Sequence, residues 1–147
     1  MINDYYKVNF SSDFLTFEFV SEGPKGKIVK VVKYSEINIK GFYNLGFGDK
    51  DPVTGFISDL TVTNNADSKK VLATVAATLS TFLEMHPGAT VIATGSTEAR
   101  TRLYRIGITN NLPDIENMYF IFGLTEKGWE KFKAGIKYAA FLVQKKL

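Results

Sequence analysis

The chain has 147 residues, no cysteine, 45% hydrophobic and 22% charged residues, and a formal net charge of +3. Those proportions exclude a disordered chain, and the missing cysteine excludes disulfides, thiol nucleophiles and cysteine-ligated zinc. One domain over residues 1–147 is expected, since a chain of this size buries a core without covalent staples.

The first residues, Met1 to Lys7, lack a basic segment followed by an apolar one, and no apolar run approaches the ~20 residues of a membrane span. A cytoplasmic protein with no membrane partner is therefore the expectation. Charge is uneven: residues 1–99 carry 9 Lys/Arg against 11 Asp/Glu, and residues 100–147 carry 9 against 4. The basic last third favours phosphate-rich ligands or is simply a solvated lysine face. Nucleic acid is the least favoured partner, because the net charge is small.

In chain order, Phe14-Leu-Thr-Phe-Glu-Phe-Val20 alternates as a half-buried strand does. Glu22-Gly-Pro-Lys-Gly26 supplies a turn, and Lys27–Lys33 a second β-branched strand, so the pair reads as a hairpin. Gly41–Asp49 reads as an aromatic, glycine-containing strand, Asp49–Gly55 as a loop, and Phe56–Thr63 as another strand. Asn64, Asn65 and Asp67 then offer oxygens to start a helix.

The period changes at Ser68. Val71, Leu72, Val75, Leu79, Phe82 and Leu83 fall on one helical face up to Met85, and His86-Pro-Gly88 ends it. Val91–Ala93 is a short buried strand, expected to lie parallel to 56–63 after a crossover. A second helix runs from about Thr97 to Ile106, with Ala99, Leu103 and Ile106 as its buried stripe. Leu112–Asn117 reads as loop, Met118–Phe122 as strand and Thr125–Lys133 as a short helix with Trp129 and Phe132 inward. Tyr138–Val143 reads as a last strand, with helix as the alternative around 135–145. The fold class is α+β: a mixed, mostly antiparallel sheet with an N-terminal meander, a βαβ step and a C-terminal strand pair.

The candidate site is the turn between strand and second helix, Thr94-Gly-Ser-Thr97. Glycine permits a sharp exit from the strand, and a helix start offers unpaired N–H groups and a positive dipole end to an anion. Ser96, Thr97 and Arg100 are placed to hold that anion, and Tyr104, one turn on, to flank it. Arg102 and Arg105 are expected to point elsewhere. The plainer interpretation is a helix capped by the Ser96 or the Thr97 hydroxyl, with nothing bound and Arg100 in a structural ion pair. Asp59 is a base, a ligand anchor or a solvent-facing residue. His86 alone cannot assemble a metal site, so no metal and no cofactor are expected.

Across Tyr43–Asp49, Thr63–Asn65, Val71–Ala76, Ala93–Thr97, Ala99–Arg105 and Ala140–Val143 the chain resembles a family of small uncharacterised bacterial proteins. Thr94-Gly-Ser-Thr-x-Ala-Arg-Thr-Arg-Leu-Tyr104 is the most specific of these strings. The order of elements is also similar to that of the Gcn5-related N-acetyltransferases. That second resemblance implies an acetyltransferase-like sheet and a glycine-rich pyrophosphate turn, but the matching position, Asn64–Lys70, has no glycine. The expected function is thus a small domain binding a small anionic ligand. A non-enzymatic interaction or homo-oligomerisation module is the alternative.

Overall fold

The computed structural model describes residues 4–55, 57–58, 64–95 and 97–146. Ser96 and Asp59, and most of the strand expected at 56–63, lie outside the described residues. Within them the fold is α+β, with two helices against one mixed, mostly antiparallel sheet.

The sheet begins as an antiparallel meander. β1 (Asn9–Phe10), β2 (Thr16–Gly23), β3 (Gly26–Glu36) and β4 (Phe42–Lys50) pair in succession, and Gly23 opposite Gly26 closes the expected hairpin over Pro24 and Lys25. Alternation sets the faces. Phe17, Phe19 and Ser21 turn into the core, whereas Val20 and Glu22 stay exposed.

After β5 (Ile57–Ser58), α1 spans Ser68–Met85, the boundaries that the apolar period predicts. Val71, Val75, Phe82 and Leu83 are buried, and Gly88 takes a positive φ of 85° past the helix end. Phe82 stacks on Tyr34 with ring centroids 4.3 Å apart, which fixes α1 over β3. Asp67, at the N-cap position, makes no capping bond; its carboxylate instead accepts from the Tyr6 and Ser21 hydroxyls.

β6 (Thr90–Ala93) runs parallel to β4, Phe42 facing Thr90 and Leu45 facing Ala93. The expected parallel partner at 56–63 is corrected: β6 has β4 on one edge and β9 (Phe141–Lys145) on the other, while Ile57–Ser58 lies antiparallel to the far end of β4. An apolar run shows that a strand is buried without showing which strand it joins.

α2 covers Glu98–Ile115, ending nine residues beyond the end the sequence suggests, with Pro113 inside its last turn. β7 (Tyr119–Thr125) and β8 (Gly128–Lys131) form a hairpin where a short helix is expected. Gly128 at φ 115° and the Thr125 hydroxyl, which donates to the Gly128 carbonyl at 3.0 Å, close that turn. Trp129 is consequently 43% exposed, while Phe132 is buried as anticipated. β9 settles the last segment as strand. The full order is β1-β2-β3-β4-β6-β9-β7-β8, with β5 attached to β4.

One core joins both helices to the sheet, including Phe17, Val32, Leu45, Val91, Tyr104, Ile121 and Val143. A buried ion pair, Lys30 with Asp49 on neighbouring positions of β3 and β4, sits inside it. No helix among the described residues is long and apolar enough to cross a membrane.

Candidate functional site

The turn from β6 into α2 is built by tight local bonding. Gly95 lies against the helix start: a Cβ there would meet the Thr101 nitrogen at 2.3 Å and the Arg100 Cβ at 2.5 Å. Its N–H donates to Thr101 Oγ1 at 3.0 Å. Thr97, with extended φ −136° and ψ 163°, is the N-cap, and its hydroxyl accepts from the Arg100 N–H at 3.2 Å. Glycine is required here by close approach, since only a residue without Cβ lets β6 pass so near the first helical turn.

The direction of each α2 side chain follows from the true buried stripe. Arg100 and Tyr104 face the core at 7% and 8% exposure, and Ile108, Leu112 and Ile115 continue the same face. The expected stripe of Ala99, Leu103 and Ile106 is corrected: Ala99 is exposed and the other two are only half-buried. Stopping the helix at Ile106 conceals the apolar residues at 108, 112 and 115 that set its orientation.

That rotation divides the predicted site residues. Thr97 lies on a surface cleft of about 730 Å³ with Glu98, Arg102, Arg105, Lys137 and Tyr138. Arg102 and Arg105 thus border the turn they were expected to leave. Arg100 lines neither this cleft nor the next. Lys137 pairs with Glu98 at 3.6 Å, both side chains being largely exposed, so the pair is weak and exchangeable. Lys137 arrives from the segment before β9, and nothing local in the sequence links it to residue 97.

Tyr104 lines a second, partly enclosed cavity of about 670 Å³ bounded by α1, α2, the sheet and the N-terminal segment from Tyr5 to Phe10. Burial pushes the Tyr104 phenol up to about 12, with the Arg100 charge opposing that rise. His86 has a structural role: its Nδ1 lies 3.1 Å from the Phe82 carbonyl and its ring stacks on Phe82. Among the described residues, no group of three His, Cys, Asp or Glu side chains could hold a metal.

A family model described as a family of unknown function, DUF6934, matches residues 2–146. The chain belongs to this family. Neither the curated proteins nor the solved structures yield a match. Members of DUF6934 thus share with this chain nearly its whole length, and the functional interpretation rests on the geometry of the two clefts.

Proposed function

We propose that this DUF6934 protein binds a small anionic, phosphate-bearing ligand in the cleft at the start of α2. The observation that carries this is the convergence of Arg102, Arg105 and Lys137 with Thr97 around one cleft, against Glu98 as the one acid among the described lining residues. Three cations and one anion leave a net positive cleft, and the helix N-terminus adds its dipole. Arginine offers paired N–H donors that match phosphate oxygens.

Topology supports the same place. β4 and β6 are the parallel pair among the described residues; beyond Leu45 β4 leaves β6 and pairs with β5. Past the carboxyl end of β6, Thr94 and Gly95 line this cleft, the kind of position in which ligands of α/β sheets sit. The start of α1 is a poorer anion site, because it holds the acidic Asp67. This weighs against a coenzyme A pyrophosphate there and leaves the acetyltransferase-like architecture as fold analogy, which does not fix activity.

The alternative, a homo-oligomerisation module, draws on Phe120 and Trp129, 46% and 43% exposed on the terminal β7–β8 hairpin. Calorimetric titration with inorganic pyrophosphate at low salt, with light scattering on the same samples, separates the two. Replacing Arg102 and Arg105 together by Ala is expected to weaken binding by more than about tenfold, each charge-assisted bond counting for ~1.5–3 kcal/mol. Absence of saturable heat in the wild type, with a dimeric mass, would replace this proposal by the alternative.

A further inference from the structure

The cavity between α1 and α2 lies on the other side of α2 from the cationic cleft, and its chemistry is different. Most of its wall is apolar: Leu72, Val75 and Leu79 come from α1, Ile108 and Ile115 from α2, and Val91 from the sheet. At about 670 Å³ it falls in the middle of the range that holds small organic ligands, ~300–1,000 Å³. Tyr5 and Phe10, both more than half exposed, border it from the N-terminal segment.

One polar group inside it has no partner. Tyr104 is 8% exposed, yet its hydroxyl makes no hydrogen bond to any described residue. The neighbouring phenols contrast with it: Tyr34 is bonded to Thr78 and Tyr119 to Ser80, each at 2.9 Å. Among the described residues no wholly enclosed side-chain nitrogen or oxygen lacks a partner. The Tyr104 hydroxyl, having none, must therefore open onto space, and the space against Tyr104 is this cavity. A donor so placed has no acceptor among the described residues, and a ligand's acceptor supplies one.

We infer that the interhelical cavity is a second binding site, taking a neutral small molecule with an apolar body and a carbonyl-type acceptor that accepts a hydrogen bond from the Tyr104 hydroxyl. Burial holds that phenol protonated through the physiological range, so it is a donor. An apolar lining disfavours a bare charge on the ligand, which separates this site from the phosphate cleft. The proposal is independent of that cleft, whose lining does not include Tyr104.

Prodan, a neutral naphthyl ketone whose emission moves to the red when its carbonyl is hydrogen-bonded, is a suitable probe. Fluorescence titration of the whole chain is expected to saturate at one prodan per protein. Tyr104→Phe removes only an unpaired hydroxyl, so it should fold as the wild type does, bind about fivefold more weakly and emit further to the blue. Ala76→Phe, which fills the cavity from α1, should abolish binding. The Arg102→Ala, Arg105→Ala double variant should titrate as the wild type does. The proposal is overturned by a wild type that does not saturate, by Tyr104→Phe matching it in affinity and emission, or by loss of prodan in the arginine variant.

Discussion

At the scale of single residues, two glycines carry opposite constraints, one before α2 and one inside it. A Cβ on Gly95 would press on backbone atoms of the α2 start, the Thr101 nitrogen at 2.3 Å, and backbone within a capped helical turn cannot withdraw. A Cβ on Gly107, inside α2, would meet Leu72 side-chain atoms at 3.6 Å, an ordinary contact. Gly95→Ala is therefore expected to lower the urea midpoint by the equivalent of about 1–3 kcal/mol. Gly107→Ala should instead raise it by up to about 1 kcal/mol, the gain in helix propensity. Equal shifts in the two variants would refute the assignment of Gly95 to close approach. The residue pattern Thr-Gly-Ser-Thr indicated a turn of this kind, but the distinction between a needed and a replaceable glycine lies in what stands opposite each.

At the scale of elements, α2 is where sequence and structure part most informatively. Its N-cap was legible to within one residue: the sequence offers the Ser96 or the Thr97 hydroxyl, and Thr97 accepts the Arg100 N–H. Thr97→Ala should cost about 1 kcal/mol, while Thr97→Ser, which keeps the acceptor, should fall within a few tenths of the wild type. Chemical denaturation of the two variants checks this, and identical losses would show that the methyl contact, not the cap, matters. The far end of α2 was not legible, because Pro113 and the Asn110-Asn111 pair suggest a break that tertiary packing of Ile108, Leu112 and Ile115 overrides. The missed length rotated the inferred buried face, and with it the direction of Arg100, Arg102 and Arg105. An error in where a helix ends thus became an error in which arginines face the cleft. The β7–β8 hairpin shows the same effect in reverse, since Trp129 and Phe132 fit a helical spacing until Gly128 takes a positive φ.

For the whole molecule, the buried phenols couple stability to alkaline pH. Tyr34 and Tyr104 are both raised above the ordinary 10.0, chiefly by desolvation, and Tyr104 reaches about 12. A phenol that holds its proton more tightly in the folded state stabilises the fold fully below its unfolded value. That stabilisation is lost as pH rises from ~10 through the folded value, because the unfolded chain ionises first. Loss of circular dichroism above pH ~10 should therefore coincide with a cooperative rise in tyrosinate absorbance. Tyr104→Phe should make the pH dependence of stability shallower in that window. Independent, non-cooperative titration of all phenols before unfolding would contradict the burial on which the linkage depends.

The sequence by itself determined the α+β class, α1 from Ser68 to Met85, the β2–β3 hairpin and a hydroxyl-capped start to the second helix, because each rests on short-range physics: periodicity, turn chemistry and a hydroxyl within reach of a nearby N–H. Only the tertiary structure decided that β6 lies beside β4 and β9, and that Lys137 shares a cleft with Arg102 and Arg105. It alone placed Tyr104 in an apolar cavity, with its hydroxyl bonded to no described residue. These are contacts between residues tens of positions apart, chosen by which faces can be buried together, and a local pattern carries no record of its distant partner.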